Sequence, residues 1–218
     1  MRENSKQSQA WASEFGKEYT DRNNMSIEEM DTMYEKQYGI SRSDMNHQFL
    51  GYMDRNIRIL EVGSNIGLQL QFLQKAGFKN LYGIEISPYA VELSKSLTKN
   101  VNIIQGYAQD MPFKDNYFDV VFTSGVLIHI NPDEVSDIMR EMYRCTMFFI
   151  WGFEYFSYEL QAIKYREAKE TTDLLWKADF PKLFRRSFPD LVLIKETRFK
   201  YLQDENEDVM YLLGKGGK

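Results

Sequence analysis

Only two histidines, His47 and His129, and a single cysteine, Cys145, occur among the 218 residues, so side chains able to move a proton near neutral pH are few. His129 ends the stretch Ser124-Gly125-Val126-Leu127-Ile128-His129, which closes an apolar strand. From there an imidazole can take a hydroxyl proton; it can equally cap or pack before Asn131-Pro132. Glu154 is the next candidate base, because Trp151-Gly152-Phe153-Glu154-Tyr155-Phe156 reads as another strand end, with the carboxylate expected in the crevice and Tyr155 lining it. A third acid, Glu85, closes Leu81-Tyr82-Gly83-Ile84-Glu85-Ile86, where a carboxylate can accept from two ribose hydroxyls. No metal is called for, and one cysteine permits neither an intrachain disulfide nor a cysteine-based metal cluster.

These residues need a frame. Ile57 to Val62 reads as a buried strand that stops at Gly63-Ser64-Asn65-Ile66-Gly67 and opens into the helical periodicity of Leu68 to Leu73. Strand, glycine turn and helix make a nucleotide-cradling unit, and Glu85 lies about 20 residues beyond that turn. Gly63 can take angles closed to other residues and lets the main chain approach a ligand, while Gly67 lets the new helix pack closely. The dinucleotide fingerprint G-x-G-x-x-G is not met, since Asn65 stands where a middle glycine would be.

The segments E-V-G-S-N-I-G, Y-G-I-E-I-S-P-Y-A-V-E and F-K-D-N-Y-F-D-V-V-F-T-S-G-V-L-I-H-I-N-P resemble the class I S-adenosylmethionine-dependent methyltransferases. More narrowly, together with W-A-S-E-F-G-K-E-Y-T-D-R-N and L-L-W-K-A-D-F-P, they resemble the methylases associated with pseudaminic acid biosynthesis. The resemblance implies S-adenosyl-L-methionine as cofactor, with Glu61, Gly63, Asn65, Gly67, Glu85 and Ile86 around its ribose and tail. Asp110 is expected at the adenine amino group, with Met111 as an apolar flank and main-chain donor; Asp110 can equally cap the turn before Pro112. Ser124 and Gly125 are placed at the methionine part. For the acceptor, the resemblance points to Tyr19, Arg22 and Asn23 in a segment that closes over the cofactor, together with Trp11 and Phe15, whose rings can equally be sheet cover. His47, which more commonly would be solvated or merely hydrogen-bonded, and Tyr155 are further candidates, and Lys164, Tyr165 and Arg166 can bind an anionic sugar carboxylate or form a solvated face.

The elements that must position these groups alternate strand and helix. Strands are expected near 57–62, 80–86, 101–105, 118–124, 146–152, 190–202 and 208–214, with helices filling the gaps, which predicts a parallel sheet. The loop Gln203-Asp204-Glu205-Asn206-Glu207 is too short for a crossover, so the last two strands form an antiparallel hairpin. The expected fold class is α/β: a Rossmann-like methyltransferase sandwich with a mostly parallel seven-stranded sheet and an amino-terminal helical cap. One domain is expected over 1–218, with the cap at 1–55 and the core at 56–218. Residues 1–10 read as polar and frayed. Ser26-Ile27-Glu28-Glu29 has the capping-box form and starts a helix ended by Gly39. A second cap helix, from Ser41 to about Met53, sets Met45, Phe49, Tyr52 and Met53 on one side. Leu175 to Pro181 leads a helix to Phe188.

The net charge of −5 argues against a nucleic-acid binder with a basic face. With no signal peptide and no run of roughly 20 apolar residues, a cytoplasmic protein without membrane partners is expected. Its partner is then a small-molecule acceptor, offering a hydroxyl or nitrogen on a sugar-like metabolite. The rivals are another small molecule or a carboxylate as acceptor, and a non-catalytic S-adenosylmethionine-binding protein.

Overall fold

The computed structural model describes residues 6–163 and 175–216. Four helices come first: α1 (Lys6–Trp11), α2 (Glu14–Arg22), α3 (Ile27–Tyr38) and α4 (Arg42–Leu50). The alternation follows as β1 (Arg58–Val62), α5 (Leu68–Lys75), β2 (Asn80–Glu85), α6 (Pro88–Leu97), β3 (Val101–Gln105), β4 (Phe118–Ser124), a 3-10 turn at Leu127–His129, α7 (Pro132–Cys145) and β5 (Thr146–Tyr155). Two short strands, β6 (Gln161–Ala162) and β7 (Trp176–Lys177), pair with each other before α8 (Phe180–Ser187), β8 (Leu191–Lys200) and β9 (Glu207–Lys215).

The main sheet runs β3-β2-β1-β4-β5-β9-β8. Pairings among β1 to β5 are parallel, and β9 lies antiparallel between β5 and β8, so the terminal hairpin inserts its second strand into the sheet as expected. The strand order reverses between β1 and β4, and such a point leaves a crevice beyond the carboxyl ends of the strands.

Alternating side chains serve two cores. Leu60, Val62, Val121, Ile150 and Tyr211 join one cluster with Met139 and Met142 of α7 and Phe184 of α8. Ile59, Phe122, Trp151, Met210 and Leu212 join the other with Met45 and Phe49 of α4. Glu61 follows Ile59 on the α4 side, so β1 delivers a carboxylate to that core at the end of the strand.

Four local expectations change. The polar residues 6–11 form a helix, because Gln7 is buried and its amide donates to the His129 carbonyl. α4 stops at Leu50, one residue before Gly51, which leaves Tyr52 exposed instead of packed beside Met45 and Phe49. Residues 106–117 hold no helix: the Tyr107–Asp110 bridge, Pro112 and the left-handed Asn116 make a turn, clamped by Arg144, which donates to the carbonyls of Met111 (2.9 Å) and Phe113 (2.7 Å). β5 runs on to Tyr155, because β9 keeps pairing with it as far as Asp208.

The capping box at the start of α3 is formed, with the Ser26 amide donating to Glu29 (2.7 Å) and the Glu29 amide donating to the Ser26 hydroxyl (3.2 Å). At its other end α3 is tied to the sheet through Asp208, which accepts from the Tyr38 hydroxyl and from Tyr201 (3.2 Å). Burial pushes the Asp208 carboxyl up to about 7, against the hydrogen bonds from the two tyrosines. A folded pKa above the unfolded one gives stability that is complete below the ordinary carboxylate range and lost as pH rises through about 7. The denaturation midpoint should therefore fall between mildly acidic and mildly alkaline pH. Asp208→Asn should flatten that slope by on the order of 1–3 kcal/mol, read from urea titrations across the window; an unchanged slope would detach Asp208 from it.

Candidate cofactor and acceptor site

The turn after β1 is built by the end of β2. The amides of Gly63 (2.8 Å) and Ser64 (3.1 Å) donate to the Ile84 carbonyl, and the Asn65 amide donates to a Glu85 carboxylate oxygen (2.8 Å). The other Glu85 oxygen accepts from the Ser87 amide (2.8 Å), which holds the start of α6. Gly63 has φ 72°, and a Cβ there would meet Val126 Cγ2 at 2.7 Å, so the position needs glycine both for its angles and for the approach of the β4 end. Asn65 also sits in the left-handed region, at φ 46°, which asparagine tolerates better than most residues. This explains why no middle glycine is required.

Beyond these strand ends lies a cavity of about 200 Å³. β1 and its turn contribute Glu61, Gly63, Ser64 and Asn65; β2 and its exit contribute Glu85, Ile86 and Ser87; β4 and its exit contribute Ser124, Gly125, Val126 and His129. α1 and α2 cover it with Gln7, Trp11, Tyr19, Thr20 and Asn23. The cover is fastened to the floor: the Thr20 hydroxyl donates to Asn65 Oδ1 (3.0 Å), and the Trp11 ring lies 4.9 Å from that of His129 and 5.0 Å from that of Tyr19, centroid to centroid. Asn23 Nδ2 donates to the Tyr19 carbonyl (2.7 Å), which fixes the end of α2.

Other anticipated residues lie elsewhere. Gly67 caps α5 at φ 80°, and a Cβ there would meet Ile103 Cδ1 at 2.7 Å and Thr98 Cγ2 at 3.2 Å, so its glycine serves packing and not the cavity wall. Asp110 is exposed and the Met111 amide donates to Glu141 (2.8 Å), so neither side of the expected adenine contact faces the cavity; Ala108 and Gln109 do instead. Arg22 and His47 are exposed on the outer faces of α2 and α4, away from the cavity lining. Tyr155 packs on the core cluster beside Lys177, 5.9 Å from its ring centroid. Lys164, Tyr165 and Arg166 fall outside the described residues.

Glu154 is not in the crevice either. It is 1% exposed and lies under the turn that carries His129, accepting from the amides of Val126 (3.2 Å) and Ile128 (3.4 Å). Burial pushes its carboxyl up to about 7, against these backbone hydrogen bonds. The strand-end rule placed it correctly along the sheet, but the alternation of β5 turns it towards the 3-10 turn.

Glu61 and Glu85 are the buried acids of the wall. Burial raises Glu85 above the usual carboxylate range, opposed by the Ser87 and Asn65 amides. Glu61 is pushed well above that range by burial, and the Glu85 charge adds to this while the Arg42 charge opposes it. Its Oε2 is buried without a partner, as is Ser64 Oγ, so the wall holds unsatisfied acceptor capacity where a ligand with donors would sit. Those acceptors fit the ribose hydroxyls and the α-ammonium group of S-adenosylmethionine, with Ala108, Gln109 and Ile86 for its base.

The sequence reading passed over Arg42, Gln7, Thr20 and Gln109. For Arg42 a signal existed: Arg42, Met45, Asn46 and Phe49 follow the i, i+3, i+4, i+7 spacing of one helix face, and all four are buried. An arginine on such a stripe asks for a reason.

Comparison with known proteins adds to this geometry. Residues 60–147 match the family model described as a methyltransferase domain. An uncharacterized methyltransferase of Synechocystis sp. is 28% identical over 87 residues, which are 40% of this chain and 41% of that protein, so the chain spans about two fifths of this relative's length. The phosphoethanolamine N-methyltransferase of Plasmodium falciparum is 21% identical over 73% of this chain and 67% of its own. Among solved structures, a methyltransferase from Anabaena variabilis superposes with a TM-score of 0.68 at 10% identity, covering 97% of this chain and 96% of its own, which establishes the shared fold. Among the described residues no helix is long and apolar enough to cross a membrane. The methyltransferase-domain match lies across the turn, Glu85 and the β4 exit within this fold, and the cofactor that this domain takes is S-adenosyl-L-methionine.

Proposed function

We propose that the protein transfers the methyl group of S-adenosylmethionine to a hydroxyl or nitrogen of a small sugar-like metabolite, in nonulosonic (pseudaminic) acid or surface-glycan biosynthesis. The sugar pathway rests on the sequence resemblance alone. The observation that carries methyl transfer is the position of His129: it lines the cavity past the end of β4, on the covered side under Trp11 and Tyr19. When bound, the cofactor supplies an electrophilic methyl group. Glu85 receives the ribose hydroxyls on its remaining lone pairs, and Glu61 receives the ammonium of the methionine tail. Trp11 and Tyr19 exclude water, which strengthens the polar contacts inside and favours oriented reactants. An imidazole nitrogen of His129 takes the proton of the acceptor, adding a smaller factor.

A second reading is an amine acceptor. The described cavity lining carries Glu61, Glu85 and Glu134 and neither lysine nor arginine, which suits a cationic or neutral molecule better than a sugar carboxylate. The Plasmodium falciparum relative is named for methylation of a nitrogen. A panel of hydroxyl, amine and carboxylate acceptors with labelled cofactor decides between the readings, and transfer to none of them, with binding intact, would favour a non-catalytic binding protein.

Glu85→Ala should weaken S-adenosylhomocysteine binding by about 1–3 kcal/mol, the scale of hydrogen bonds to a charged group. Calorimetry on a variant with unchanged circular dichroism checks this, and an unaltered dissociation constant would remove Glu85 from the ribose site. His129→Gln keeps hydrogen-bonding capacity without the base, so turnover should drop by roughly 10²–10⁴ at nearly constant cofactor affinity. Near-normal turnover would leave proton removal to solvent and the site to orientation alone.

A further inference from the structure

Arg42 is fully buried at the start of α4, on the face that packs against the sheet. The partners that hold it are neutral: Nε donates to Asn46 Oδ1 (2.9 Å), Nη1 to the Tyr34 hydroxyl (3.4 Å) and Nη2 to Ser124 Oγ (3.2 Å). Its guanidinium carbon lies 4.6 Å from the Phe153 ring centroid and 5.7 Å from that of Trp151. A buried cation is costly unless something compensates it, and aromatic faces and neutral acceptors supply part of that compensation. The remainder must come from acids on the same side of the sheet. These are Glu61 from β1, which has the unpartnered Oε2 in the cavity wall, and Asp208 from β9, both of which feel the Arg42 charge. Glu85 from β2 acts on Glu61 in the opposite sense. Arg42 is not itself part of the lining, whereas Ser124 and Glu61 are.

We infer that Arg42 is a positioning residue for the amino-acid end of the cofactor: from behind the wall it holds the Ser124 hydroxyl, in the same lining that carries the unpartnered Oε2 of Glu61. Because Ser124 Oγ accepts from Arg42, its own proton is left for an acceptor on the ligand, and the ligand's ammonium supplies the partner that Glu61 Oε2 lacks. The helical cap is thereby part of the cofactor site although none of α4 touches the ligand. This inference rests on the assignment of S-adenosylmethionine to the cavity.

The test compares two ligands by calorimetry: S-adenosylhomocysteine, and methylthioadenosine, which has the nucleoside but not the amino-acid end. Arg42→Met should weaken the first by about 10–100-fold, the scale of a charge-assisted hydrogen bond, and leave the second within about twofold. Arg42→Lys, which keeps a charged donor at this position, should recover part of the S-adenosylhomocysteine affinity. Equal weakening of both ligands would reduce Arg42 to packing, and an unchanged affinity for S-adenosylhomocysteine would overturn the inference. Should Arg42→Met fail to fold, Ser124→Ala decides: selective loss of S-adenosylhomocysteine binding upholds it, and wild-type binding overturns it. Failure of the unaltered protein to bind either ligand would instead strike the cofactor assignment.

Discussion

The carboxylate of Glu85 is the joint on which the site depends. Its two oxygens accept from amides on either side of the crevice, Asn65 in the turn after β1 and Ser87 at the start of α6 (both 2.8 Å). One buried side chain thus fixes two chain segments that come together only because β1 and β2 pair in parallel register. A carboxylate has about four lone-pair positions, so this internal work still leaves acceptor capacity facing the cavity. The ligand contact proposed for Glu85 would use the same atoms that fasten the turn, so a variant there separates affinity from stability only if folding is measured too.

The two ends of the cavity use charge differently. At the β1 and β4 ends, buried groups meet in a medium of low polarity, and each acid is raised by burial and restrained by whatever donor lies behind it. For Glu85 the restraint is backbone amide; for Glu61 it is the Arg42 guanidinium; for Glu154 it is the turn at 126–128. The covered end relies on rings: Tyr19 meets Trp11 and His129 edge to face, and the Trp11 and His129 rings are tilted against each other, all within 4.9–6.0 Å. Recognition of a charged tail and exclusion of water are thereby given to different walls.

Much of the fold was legible in the sequence because its signals are local: apolar runs closed by glycine, the Ser26 capping box, and a hairpin loop too short for a crossover. The rule that ligands sit beyond the strand ends put residues 63, 85, 110 and 124 at one sheet edge with His129 on the same side, and Gly63, Glu85, Ser124 and His129 do line the cavity there while Asp110 does not. What escaped was side-chain direction. Glu154 stands at the right strand end but faces the turn, and Asp110 is turned outward by a bridge to Tyr107 that no periodicity announces. His47 follows two buried residues of α4, Met45 and Asn46, yet projects from its outer face, whereas Arg42, on the inner stripe, was passed over. Charge type suggested surface, and helix geometry decided otherwise.

The fastening of α1 has a kinetic side. Six residues make too short a helix to persist alone in water, so α1 holds its form through the Gln7 amide on the His129 carbonyl and the packing of Trp11. Because this segment lines the covered end of the cavity and rests on His129, the same few contacts that let α1 fold also hold that residue in place. Loosening the roof would therefore admit water to the cavity and free His129 together, so exchange through this end cannot be tuned without altering what lies beneath it.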